Sequence, residues 1–128
     1  MIAGIGIDLV EIARVERLLT SKGERALRRL FTDSEIAYAQ QRARPAMHLA
    51  ARLAAKEAAF KALAGSDEAR LIGWRDVEVV SRPNAPPSLA LHGRAELRAS
   101  ELGVQRVHLS MTHTDLTAGA VVVLVQHS

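Results

Sequence analysis

The segment from Leu49 to Leu63 constrains this chain most, because it reads as a helix with a charge where none belongs. At 100° per residue, Leu49, Leu53, Phe60 and Leu63 fall into one apolar stripe. Lys56 lies in the middle of that stripe, where an ammonium group is normally excluded. Glu57 and Lys61 sit one turn apart on the flank. Most other positions are alanine, so neighbours can approach several sides of the helix closely. A closely packed helix carrying Lys, Glu and Lys is better explained by a site than by a solvated face.

The chain is 128 residues long, which predicts a single domain over 1–128. Its only aromatics are Phe31, Tyr38, Phe60 and Trp74, so the core must be built mainly from Ala, Val, Leu and Ile. Trp74 is expected to serve packing. The absence of cysteine excludes disulfides and thiolate metal sites and fits a reducing compartment. Residues 1–10 are apolar but lack a basic leader and are too short to span a membrane. A soluble cytoplasmic protein with no membrane association is expected.

The net charge of +3 matters less than where it sits. Six basic residues lie between Glu11 and Phe31: Arg14, Arg17, Lys22, Arg25, Arg28 and Arg29. An unbroken helix would bring Arg14, Arg17, Arg25 and Arg28 within about a quarter of its circumference, although Gly23 is placed to interrupt it. The pattern suits an acidic partner, and equally an ordinary solvated helix face. Nucleic acid is not expected, because no interleaved aromatics are present to stack bases.

Residues 2–10 read as a strand, with Ala3, Ile5, Ile7 and Leu9 on one face and Ile2, Gly4, Gly6 and Asp8 on the other. The two glycines leave that face bare, so a backbone or a ligand can come close. Helices are expected from Glu11 to Leu19, in a short piece after Gly23, from a Thr32–Glu35 capping box to about Arg42, and from Pro45 to about Ala64. The second half predicts strands at 77–80, 88–92, 107–112 and 118–126, with a helix at 94–102. This mixture is α+β, with helices packed on a largely antiparallel sheet.

Asp8 ends the glycine strand and Glu57 lies on the alanine helix. Two such oxygen donors suit a hard cation such as Mg2+, whose remaining positions go to phosphates and water. Lys56 and Lys61 would then offset phosphate charge. The alternative is that the acids are solvated or paired with cations. Lys56 has its own alternative, a buried pair with a carboxylate.

Gly4-Ile5-Gly6-Ile7-Asp8-Leu9-Val10-Glu11 with Arg14, followed by Ala54-Ala55-Lys56-Glu57-Ala58 with Lys61-Ala62, resembles the holo-acyl-carrier-protein synthase family, the short trimeric 4′-phosphopantetheinyl transferases. Val107 to Thr114 is similar to that family's C-terminal strand and turn. The resemblance implies transfer of phosphopantetheine from coenzyme A to a serine of an acidic acyl carrier protein, in support of fatty acid biosynthesis. It implies a homotrimer with active sites between subunits, Asp8 and Glu57 meeting across that seam to hold Mg2+. Asp8, Glu57 and Lys61 are the implied catalytic residues, with Glu57 taking the serine proton directly or through a water.

Further positions follow from the same resemblance. Arg52, Lys61, His113, Arg44, Gly65 and Pro87 are matched to coenzyme A binding, and Arg14, Arg17, Arg25 and Arg28 to the carrier protein. His113 reads equally as a turn histidine bonded to backbone. The other histidines, His48 among them, show no metal-ligand spacing and receive no role. Exposed alanine-rich and valine-rich faces are expected to meet other copies. The family's Gly-Thr-Gly loop is replaced here by Gly65-Ser66-Asp67-Glu68, whose acids would repel phosphate. Two alternatives remain: a coenzyme A or nucleotide pyrophosphate hydrolase, and a non-catalytic basic scaffold for acidic proteins.

Overall fold

A computed structural model describes residues 1–127; Ser128, the last residue of the expected domain, lies outside them. Strand β1 (Ile2–Glu11) runs into helix α1 (Ile12–Leu30), α2 (Asp33–Gln40) and α3 (Pro45–Leu63). A short hairpin, β2 (Val77–Val80) and β3 (Ser88–Leu91), then leads through α4 (Gly93–Glu101) to β4 (Val104–His113) and β5 (Thr117–Gln126). The architecture is α+β, and every strand pair is antiparallel. The strands form two sheets, a three-stranded one in the order β1-β5-β4 and the separate β2-β3 hairpin. Among the described residues, no helix is long and apolar enough to cross a membrane.

Helix α3 is the centre of the molecule. Leu49, Leu53 and Leu63 are buried as its stripe requires, and so are Ala50, Ala54, Ala55, Ala58, Ala59 and Ala62. The alanine faces expected to await another copy are therefore consumed inside the chain. Pro45 opens the helix at its first turn, where a missing N–H costs nothing. The two glycines of β1 explain how the strand reaches it: a Cβ at Gly4 would strike the carbonyl of Ala62, and one at Gly6 the carbonyl of Ala58. Two strand residues advance about 6.8 Å and four helix residues about 6 Å, so the pairs stay in step. Continued by one step, this spacing sets Asp8 beside the turn of α3 that carries Glu57.

The opposite face of the sheet is uncovered. Ile5, Ile7 and Leu9 are mostly exposed, and they pair across the sheet with Val123, Val121 and Gly119. Within α1, Gly23 adopts φ 67° and breaks the helix into two pieces. Here the backbone conformation favours glycine directly.

Candidate active site

Asp8 and Glu57 meet within one chain, not across a subunit seam. The cause is the glycine-lined approach of β1 to α3, which brings their carboxyls within hydrogen-bonding reach of each other. Lys61, one turn beyond Glu57, donates to Asp8 Oδ1 at 3.0 Å and to the Ile7 carbonyl at 2.9 Å. Arg14 reaches Glu57 Oε1 from α1 at 3.4 Å. Burial pushes Glu57 up to about 7, with the neighbouring Asp8 adding to the effect and Arg14 opposing it. Asp8 moves the other way: burial raises it, but its bonds to Glu57 and Lys61 and the charge of Lys61 hold it below the usual carboxylate range. The two acids thus share a proton near neutrality.

This pair fits a hard cation. Asp8 Oδ2 is buried with no hydrogen-bond partner, an acceptor that a ligand or ion would satisfy. No group of three or more potential ligands exists among the described residues. Mg2+ needs no more than one or two protein carboxylates when a substrate supplies phosphate oxygens.

Lys56 takes the other of its two readings. Its side chain is 0% exposed and pairs with Glu35 at 2.8 Å. It also donates to the carbonyls of Trp74 and Val77. Glu35 belongs to the Thr32 capping box and accepts in addition from Val79 N–H at 2.8 Å. Lys56 therefore ties α2 and β2 to α3, and its distance from solvent removes it from phosphate neutralisation. Trp74 packs edge-on against Phe60 with ring centroids 4.9 Å apart.

Beyond α3, on the β4 side, a cleft of about 560 Å³ is lined by Arg52, His113 and Pro87 together with Tyr38, Arg42 and His48. Arg52 is 3% exposed, and its guanidinium contacts the Ser81 hydroxyl at 2.8 Å, the His48 carbonyl at 3.2 Å and the Tyr38 ring. Each of those partners is neutral, and the charge of Glu35, itself paired with Lys56, offsets only part of the cost of burying this cation. Burial, followed by Arg52 and Arg42, holds His48 below its ordinary value, which leaves the arginines as the cleft's source of positive charge. Tyr38, Arg42 and His48 escaped the sequence reading. The only signal was Tyr38 and Arg42 at helical spacing, and α2 ends before the second of them.

The remaining matched residues scatter. Arg44 lies outside the cleft and donates to the Asp115 carbonyl at 3.2 Å, bracing the β4–β5 turn. His113 lines the cleft, and its Nδ1 also lies 3.4 Å from the Thr114 carbonyl. Gly65, at φ 114°, borders a different hollow with Ser66, Asp67 and Arg70. Arg14 and Arg17 line one groove with Leu53 and Trp74, and Arg25 an adjoining one. Arg28 departs from that face and pairs with Glu24 at 3.1 Å, because the break at Gly23 rotates the second half of α1.

A paired-carboxylate seat lies on one side of a central alanine helix and an arginine-lined cleft on the other, an arrangement that suits an anionic, phosphate-bearing ligand. The 4′-phosphopantetheinyl transferase superfamily model matches residues 4–121, and the chain belongs to that family. A holo-[acyl-carrier-protein] synthase of Thermus thermophilus is 50% identical over 124 residues, 97% of this chain and 94% of the relative. The crystal structure of holo-[acyl-carrier-protein] synthase from Neisseria meningitidis superimposes with a TM-score of 0.85 at 30% identity, covering 98% of this chain and 100% of that one. The enzyme from Bacillus anthracis, solved in complex with coenzyme A (3′,5′-ADP), gives 0.78 at 32% identity and 99% coverage of both.

Proposed function

We propose that this protein transfers 4′-phosphopantetheine from coenzyme A to a serine hydroxyl of apo acyl carrier protein, releasing adenosine 3′,5′-bisphosphate. The observation that carries the reading is the Asp8–Glu57 pair with its orphaned Oδ2 and attendant Lys61. Asp8 and Glu57 would hold Mg2+, which when bound offsets charge on the diphosphate being cleaved. Lys61, anchored to Ile7 O and Asp8, presents its ammonium where the reacting phosphate arrives. Glu57, once deprotonated, accepts the proton of the attacking serine. The serine oxygen bonds to the phosphorus that carries pantetheine, and the bond from that phosphorus to the bridging oxygen breaks, so the bisphosphate leaves with the oxygen.

The cleft and the acid pair occupy opposite flanks of α3, and the cleft's lining includes neither Asp8 nor Glu57 nor Lys61. This supports a homotrimer in which the cleft of one copy faces the acids of the next. The exposed row Ile5, Ile7 and Leu9 beside the valines of β5 supplies an apolar face for such an assembly. Arg14 and Arg17, with Arg25 beyond, offer the acidic carrier protein a basic groove floored by Leu53 and Trp74, whereas Arg28 does not share it. A cytoplasmic location and a place in fatty acid biosynthesis accompany the reading.

Intact-mass analysis of apo carrier protein incubated with this protein, coenzyme A and Mg2+ tests it. A gain of one phosphopantetheine group is expected. Folded protein that leaves the mass unchanged overturns the reading, and bisphosphate release with unmodified carrier would point to a hydrolase.

A further inference from the structure

Arg14 stands between two features that have so far been treated separately, the acid pair and the basic groove. It is half-exposed, and its guanidinium makes one bond among the described residues, to Glu57 Oε1 at 3.4 Å. The same side chain lines the groove that Arg17 and Lys22 share with Leu53 and Trp74. Leu53 and Glu57 lie one turn apart on α3, about 6 Å along its axis, so the groove adjoins the acid pair. Lys61 differs from Arg14 because it is held twice, by the Ile7 carbonyl and by Asp8 Oδ1. Of the two cations beside the acids, Arg14 is the one able to leave.

A guanidinium on Glu57 and a divalent ion on the same carboxylate are like charges competing for one anion. With Arg14 in place, the protein's own cation partly fills the seat. A half-exposed ion pair is weak, and another carboxylate can take its cation over. Building on the transferase reading, we propose that Arg14 is a counter-ion shared between the acid pair and the carrier protein: a carboxylate of the docking carrier draws its guanidinium off Glu57 and clears that oxygen for Mg2+. Docking of the carrier and seating of the ion then strengthen each other. The acid pair takes up its ion most tightly when the acceptor substrate is present.

The coupling is measured without turnover by using a carrier protein whose acceptor serine is replaced by alanine. Mg2+ is titrated calorimetrically into the full-length protein with coenzyme A, with and without that carrier. The carrier should tighten Mg2+ binding about fivefold, the lower end of the usual range for linked sites, because the pair is half-exposed. Mg2+ should tighten carrier binding by the same factor. Arg14→Gln should bind Mg2+ more tightly than wild type when no carrier is present, and its coupling should vanish. Arg14→Lys, which keeps a charge near Glu57, should retain part of the coupling. Arg17 lines the same groove but makes no bond to either acid among the described residues, so Arg17→Gln should weaken carrier binding and leave the coupling factor intact. Wild-type Mg2+ affinity in carrier-free Arg14→Gln would mean that Arg14 serves the carrier alone and would overturn the proposal. So would a carrier that leaves wild-type Mg2+ affinity unchanged. Equal loss of coupling in Arg14→Gln and Arg17→Gln would trace it to the overall charge of the groove and overturn it as well. A serine-bearing carrier that gains no mass despite this coupling would instead count against the transferase reading alone.

Discussion

Lys56 and Glu57 are neighbours in sequence on one helix, yet their environments are opposites. Lys56 is fully buried and satisfied, with a carboxylate and two carbonyls around its ammonium. Glu57 is partly open, pressed against a second acid, and carries a proton near pH 7. A residue whose partners all lie within the chain serves the fold. A residue whose partner shares its sign, beside an acceptor left empty, is arranged for something that arrives later.

The comparison breaks most visibly in activity. Asp8→Ala and Glu57→Ala should each lower phosphopantetheine transfer by about a thousandfold or more, since removing one preorganised charge-stabilising group costs on that scale. Circular dichroism and thermal unfolding of both variants should stay near wild type. Lys56→Met should do the reverse, costing roughly 3–5 kcal/mol of stability in urea unfolding because Glu35 would be left charged in the core without its paired cation. Pairing it with Glu35→Met should recover a large part of that loss.

Gly6→Ala attacks the contact that brings the acids together. Its methyl would collide with the Ala58 carbonyl, and backbone cannot swing aside as a side chain does. A loss of about 3 kcal/mol in chemical denaturation is expected, with activity falling alongside as Asp8 is pushed from Glu57.

The smallest effect is the most diagnostic. Glu57 sits above its unfolded value, at about 7, so the metal-free native state binds more protons than the unfolded state between pH 4.5 and 7. Stability from this group is full below pH 4.5 and disappears as pH rises through about 7. Glu57→Gln should therefore be more stable than wild type at pH 8 by about 1 kcal/mol after solvent screening, with the gap closing by pH 5.

Much of this was legible in the sequence. Pro45, the Thr32–Glu35 box and the strand alternation set the element bounds closely, since each is a local signal. Lys56 announced a buried charge through its place in the apolar stripe. Its partner did not, because Glu35 already had a local role as a capping residue and its second role exists only once α2 packs on α3. That Asp8 and Glu57 meet inside one chain depends on the registry of β1 against α3: the glycines signal a close approach, but that their partner is α3 emerges only in the fold. The Tyr38 cluster is likewise tertiary, assembled from α2, the following turn and α3. The arginine row of α1 shows the converse, since one glycine conformation turned Arg28 away from residues it matches by periodicity.

The central claim is that Asp8 and Glu57 form a cation seat that holds a proton until its ion arrives. Calorimetry of Mg2+ binding in the presence of coenzyme A at pH 7, run in buffers of different ionisation enthalpy, measures that proton directly. About half a proton should be released per Mg2+ bound, the fraction a group titrating at about 7 carries there, and Glu57→Gln should release none. Mg2+ binding of undiminished affinity in Asp8→Ala, or binding with no proton released from wild type, would contradict the account.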